Sequence, residues 1–282
     1  MSQRLGYLSS KPRGFSSLGV FGSLDGNIIG GTLLGVGMAL SAACPGTVFS
    51  QIALGIESGR WALLGGIFGG LFYTGWAKPY FASRQGAVAT PAPQTVSGAK
   101  ENLTVHEVLG VNRSTGFVLL QSALVGITAL TLSLTPPGLR MRPVVGGLLI
   151  GVSQLVSILL RRSLLGTSGS FEELGAWLWG SMKRAGPRPA SGSYTSILFC
   201  VGLVGGTWLV GAVAPDLAQT SKLHVGSANA LAGGFLMVLG SRLAGGCTSG
   251  HGISGISLLS ISSIVTIGTA LVAGVLTQAL RG

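Results

Sequence analysis

Charge is what this sequence has least of. Asp, Glu, Lys and Arg make up 9% of it, where a water-soluble domain carries about a quarter. Only 7 residues are acids, mostly in loops, so no Ser/His/Asp set can be assembled and hydrolytic chemistry of that kind is excluded. Cysteine is scarce and odd in number: Cys44, Cys200 and Cys247 all lie in apolar stretches, which excludes a disulfide framework. Cys247 and His251 lack further nearby ligands for a closed zinc site, so no metal is expected. The first residues, MSQRLGYLSSKPRGF, have cations but no apolar core after them, unlike a secretory signal. No three-residue glycine period occurs, which excludes collagen. No strand–helix context surrounds the glycines, which excludes a phosphate loop or a dinucleotide fingerprint and leaves no cofactor expected.

What is present points to lipid. Hydrophobic residues make up 47% and glycines number 48, with a mean hydropathy of +0.62. Small residues let helices pack closely in a bilayer and permit breaks at polar cavities. The formal charge of +11, from 18 cations against 7 acids, fits basic span ends meeting anionic headgroups. A nucleic-acid partner would need a basic patch with aromatic platforms, and none is visible.

Seven apolar stretches are long enough to cross or nearly cross a hydrocarbon core of about 30 Å. They run over Gly26–Ala43, Trp61–Ala77, Ser114–Leu134, Val144–Leu160, Thr195–Ala214, Ser227–Leu243 and Ser262–Leu280. The expected fold is an all-α, multi-pass membrane protein of about seven transmembrane helices plus short re-entrant helices. Residues 1–25 form a basic lead and 26–282 a single transmembrane domain. Residues 78–113 and 161–193 read as polar loops, and the second contains FEELGAWLWGSMKR, which reads as a short interfacial helix. Basic residues decorate nearly every loop, so they assign neither orientation nor the host membrane.

Self-comparison is more specific. GGTLLGVGMALSAACPGTVFSQIALG from Gly30 aligns with GGFLMVLGSRLAGGCTSGHGISGISL from Gly233 at an offset of 203. Gly30, Gly31, Leu33, Gly37, Leu40 and Cys44 fall on Gly233, Gly234, Leu236, Gly240, Leu243 and Cys247. Two pseudo-symmetric units, about 26–77 and 227–280, follow. At Cys44-Pro45-Gly46 a continuous helix is improbable, because proline removes a donor and restricts the residue before it. At Gly245-Gly246-Cys247-Thr248-Ser249-Gly250, flexibility and hydroxyl competition for backbone bonds do the same. Unpaired backbone at membrane depth is tolerated only where it lines protein or a wet cavity, which places both cysteines on a polar pathway. A short helix starting after each break would aim N–H groups at an anion.

Each polar residue has a plainer reading beside this one. Cys44 and Cys247 are thiols that hydrogen-bond a polarizable sulfur substrate, or inert buried cysteines; the duplicated break favours the former. Cys200, with no breaking motif, reads as an ordinary span residue. Arg242, in an apolar span, attracts an anion or merely pairs. His251 lines the path or is a satisfied buried histidine.

GSRLAGGCTSGHGISG (Gly240–Gly255) resembles a motif of the YeeE/YedE family of sulfur-transport membrane proteins. GMALSAACPGT (Gly37–Thr47) resembles its paired motif, and LLGTSGSFE (Leu164–Glu172) a third family stretch. The resemblance implies pseudo-symmetric helical halves, short helices dipping in from opposite faces, and uptake of thiosulfate or a related sulfur compound. It implies that Cys44 and Cys247 relay the anion by thiol hydrogen bonding, supported by Gly46, Thr47, Thr248, Ser249, Gly250 and His251. Thiosulfate-carrying members have an additional hydrophobic hairpin, with another cysteine, ahead of the first motif; here a short polar lead stands there. The expected function is therefore transport of a small inorganic sulfur anion, without enzymatic chemistry. The expected partners are that anion, membrane lipids and a cytosolic sulfur-accepting protein. The rival readings are a membrane sulfurtransferase component carrying persulfide on Cys44 or Cys247, and a structural subunit.

Overall fold

The computed structural model describes residues 12–87, 103–136, 141–161, 167–182, 195–215 and 225–281. The first residues of the basic lead, the centre of the 78–113 loop and the Gly/Pro/Arg stretch 183–193 lie outside them. The described residues are helical: α1 Asp25–Ser41, α2 Thr47–Ala53, α3 Glu57–Phe72, α4 Lys78–Ala87, α5 Val105–Val108, α6 Arg113–Leu134, α7 Met141–Arg161, α8 Ser168–Met182, α9 Thr195–Val213, α10 Ser227–Leu243 and α11 Ile261–Leu280. Among the described residues, the π-helical segments Tyr73–Ala77 and Ser249–Gly255 join α3 to α4 and precede α11. No strand occurs among the described residues, only one antiparallel bridge between Thr104 and Ser260. Among the described residues, three helices are both long and apolar enough to cross a membrane: Arg113–Leu134, Ser196–Val213 and Ile261–Leu280. The glycine-rich α1, α3 and α10 have 17, 16 and 17 residues.

The residues expected to form a loop after Ala77 begin as helix. Pro79 removes one backbone donor and crowds the carbonyl four residues earlier. The wider π turn just before it, closed by Lys78 N–H on the Tyr73 carbonyl, accommodates that crowding. The chain therefore stays helical into α4. α8 covers most of FEELGAWLWGSMKR and buries one side against the core: Phe171 is 2% and Glu173 4% exposed. Phe171 packs against Gly66 and Gly70 of α3 and Val238 of α10.

The core is built on close backbone approach. A Cβ placed on Gly37 would stand 2.7 Å from the Gly233 carbonyl oxygen, and one on Gly233 would stand 2.7 Å from that of Gly37. Gly30 and Gly240 make the matching pair, at 2.6 and 2.5 Å. Low numbers of α1 meet high numbers of α10, so the two helices run antiparallel. The repeat offset carries one glycine pair onto the other. The flanks follow the same exchange: Gly31 meets Thr266 on α11, and Gly234 meets Ala62 on α3. Each unit's first helix thus packs against the other unit's last, which leaves the two units interleaved. Leu34, Val48, Ala62, Met237, Val238 and Ala270 fill the shared core.

The duplication also appears in backbone angles. α1 ends on Ala42 with φ 50° in the left-handed region, and its counterpart Gly245 has φ 80°. α3 is entered from Gly55 (φ 72°) and extended Ile56, and α11 from Leu259 (φ 57°) and extended Ser260. That second correspondence runs at an offset of 204, one more than at the cysteines. The additional residue falls within Ser249–Gly255, whose π-helical winding takes up one extra residue per turn.

The outer helices are different in kind. No residue of α6 is buried, and Val118, Val125, Ile127 and Leu134 are more than half exposed. A water-facing helix would not present such a surface, and hydrocarbon accommodates it.

Candidate functional site

The first break follows from Ala42 in the left-handed conformation and Pro45 three residues on. The Gln51 side-chain amide donates to the otherwise free Ala42 carbonyl at 3.1 Å. Cys44 is half-buried at the turn, and its N–H donates to the Thr47 hydroxyl oxygen at 2.7 Å. The Thr47 N–H and hydroxyl both lie 3.4 Å from the sulfur. The thiol is therefore held by two donors of one residue, at the start of α2 and on an accessible side.

The second break has the same plan with a closed finish. The Gly246 N–H donates to the Ser241 carbonyl at 2.8 Å, and the His251 N–H to the Cys247 carbonyl at 2.8 Å. Cys247 is 1% exposed. Its sulfur lies 3.0 Å from the Ser249 hydroxyl and 3.7 Å from that of Thr167. A sulfur set between two hydroxyls sits where a polar, electron-rich atom is favoured over hydrocarbon.

His251 is buried and spans the break. Its Nε2–H donates to the Ala244 carbonyl at 3.1 Å, and in the neutral ring Nδ1 accepts from the Ser263 hydroxyl at 2.9 Å. Both ring nitrogens are thus used to pin the end of α10 to the start of α11. Arg242 ion-pairs through Nη2 with Glu172, which also takes Lys78 at 2.7 Å. The guanidinium carbon lies 5.7 Å from the centre of the Tyr73 ring. Thr248 is half-buried at the start of the π-helical segment.

Between the breaks stands Thr167, just before α8. Besides touching Cys247, its hydroxyl lies 3.4 Å from where a Gly46 side chain would be. Thr167 thus stands beside the first break as well, at ordinary contact distance from a side chain at position 46. The Thr167 carbonyl accepts from the Ser170 hydroxyl at 2.6 Å, and Ser170 shares the lining of a cavity with Cys200. Cys200, buried on α9, faces a cavity of about 260 Å³ whose walls are mainly Phe49, Leu63, Phe171, Leu174 and Val204.

The residues named from the sequence thus form two groups, Cys44, Gly46 and Thr47 at one break and Cys247 to His251 at the other, with Arg242 turned to Glu172. Thr167, Ser168 and Ser170 were not singled out individually. Their signal was the LLGTSGSFE stretch, where three hydroxyl residues open a helix. Arg13 was read only as part of a basic lead. Among the described residues no three His, Cys, Asp or Glu side chains stand close enough to share a metal ion.

The sequence profile of a family described as "Sulphur transport" matches residues 14–277. Two similar proteins, from Xylella fastidiosa strains 9a5c and Temecula1, each carry the description "Probable transporter". They are 35% and 34% identical over 140 residues, covering 50% of this chain and 93% of their own length.

Proposed function

Because the chain belongs to the sulphur transport family, we propose that it carries a small inorganic sulfur anion, such as thiosulfate, across a membrane past Cys44 and Cys247. The observation that carries this reading is the placement of both thiols at equivalent helix breaks, with the Thr167 hydroxyl against Cys247 and beside Gly46 of the first break. In this reading α1, α3, α6, α7, α9, α10 and α11 cross the bilayer. α2 and Ser249–Gly255 are re-entrant, dipping in from opposite faces as expected of antiparallel repeats.

The handover is a change of hydrogen-bond partners, with no bond made to sulfur. At the first break the anion takes over the donors that Thr47 offers to Cys44, and the thiol donates to it. Thr167 then bridges to the second break. There Ser249 and Thr167, now directed at Cys247, share the anion with the thiol. Gly46 keeps the passage open, Thr248 and Ser249 open the second short segment, and His251 fixes that segment in place. Soft sulfur on both sides of the contact favours an anion with an exposed terminal sulfur over sulfate or phosphate, which present only oxygens.

Labelled-thiosulfate uptake into vesicles containing the purified protein tests the reading. Cys247→Ala should abolish uptake while leaving protein in the membrane. Normal uptake by both Cys44→Ala and Cys247→Ala would sink the relay. A stable mass adduct on either cysteine after exposure to substrate would favour persulfide chemistry instead.

A further inference from the structure

Arg13 reaches the second break from the lead that precedes α1. Its Nε–H donates to the Gly250 carbonyl at 3.1 Å and its Nη1–H to the Gly245 carbonyl at 2.7 Å. These carbonyls flank Cys247, and Arg13 lies within electrostatic reach of that cysteine. The seat is carved for it: a Cβ on Gly246 or Gly250 would stand 2.8 Å from a guanidinium nitrogen.

The backbone behind the guanidinium is fixed. The Ser260 and Ser262 hydroxyls donate to the Arg13 carbonyl at 3.1 and 3.2 Å. Three residues on, the Ser16 hydroxyl donates to the Leu243 carbonyl at 2.6 Å, and the Ser16 N–H to Asn27 Oδ1 at 2.8 Å. Asp25 anchors the far end by accepting from the N–H groups of Leu18 and Val20 at 2.6 and 2.7 Å.

Among the described residues, no carboxylate meets the guanidinium. Among the described residues the ion pairs are those of Glu172 with Lys78 and Arg242; Arg13 makes none. Its charge neighbours are Cys247 and a second cation, Arg242. A half-buried cation held only by carbonyl dipoles has an unmet demand for counter-charge.

We propose that Arg13 is the anion-holding residue of the second break, taking the oxygen end of a sulfur oxyanion whose sulfur end lies against Cys247. This assignment rests on the transport reading above. It makes the site selective for ions with an oxyanion head and a soft sulfur tail. Arg13 supplies the charge, whereas Arg242 is occupied by Glu172.

The test uses purified protein, with thiosulfate as the probe, in two assays. The first is the thiosulfate concentration giving half the maximal rise in melting temperature. The second is KM and maximal rate in reconstituted vesicles. Arg13→Gln should raise the half-maximal concentration and KM at least tenfold, Arg13→Lys should stay within about threefold of wild type, and the exposed Arg60→Gln should change neither. Arg13→Gln that melts earlier but keeps its half-maximal concentration and KM would make Arg13 a structural clamp and overturn the proposal. Equal impairment in Gln and Lys variants would also overturn it, since charge would not be the property that matters. Absence of wild-type uptake would defeat the transport reading alone, because the melting assay still judges Arg13. No melting response to thiosulfate in wild type would defeat the Arg13 assignment.

Discussion

The glycine pairs between α1 and α10 allow a prediction with a worked magnitude. In Gly233→Ala the new methyl would meet the Ser41 nitrogen at 2.6 Å, the Gly37 carbonyl oxygen at 2.7 Å and the Ser41 Cβ at 2.8 Å. Two of these atoms are helix backbone, so no rotamer change relieves the clash and the helices must separate by several tenths of an ångström or more. Overpacking of this kind costs about 1–3 kcal/mol, offset by the roughly 1 kcal/mol that alanine gains over glycine in a helix. Gly268→Ala, on α11 with nothing within 4 Å of the added methyl, has the gain without the clash. The expected order of melting temperature in detergent is therefore Gly268→Ala at or above wild type and Gly233→Ala a few degrees below it. Gly37→Ala should cost a similar amount, since it enters the same contact from the other side. The double variant should cost less than the two singles added, because helices already pushed apart accept the second methyl more easily. A Gly233→Ala protein as stable as Gly268→Ala, or strict additivity with Gly37→Ala, would refute the close approach.

Three further outcomes can be measured. Thr167→Val keeps shape and removes the hydroxyl between the two breaks; uptake should fall about tenfold, the equivalent of one hydrogen bond of about 1.5 kcal/mol, with the melting temperature nearly unchanged. His251→Ala should destabilise by about 2–4 kcal/mol, read by thermal melting, because it leaves the Ala244 carbonyl and Ser263 hydroxyl unpaired and opens a cavity. Glu172→Gln should lower the melting temperature markedly, since it leaves Arg242 without its carboxylate. Pairing it with Arg242→Met should recover most of the loss, because removing both charges avoids an unpaired buried one.

Much of the framework was legible in the residues. The apolar stretches predicted from Ser227 to Leu243 and from Ser262 to Leu280 match α10 and α11 within a residue, because hydrophobic runs bounded by glycine and serine mark helix ends well. The 203-residue register between Cys44 and Cys247 located both breaks, since proline and paired glycines act locally on the backbone. Long-range placement was not legible. Nothing in GGTLLGVG says that α1 meets α10 and α11 while barely touching α3, because glycine permits close approach without choosing a neighbour. Thr167 and Arg13 lie 80 and 234 residues from Cys247, and only the folded chain joins them to it. The helix beyond Ala77 is not legible because the polar composition of residues 78–113 reads as one loop, and composition does not show the wider turn that carries the helix past Pro79.

The two copies of the break differ in access, which has a consequence for direction. The winding after Cys247 sets Ser249 against one side of the sulfur and Thr167 closes another, leaving it 1% exposed, while Cys44 remains half-open. A solute would touch the first thiol at once, whereas the chain must yield before anything reaches the second.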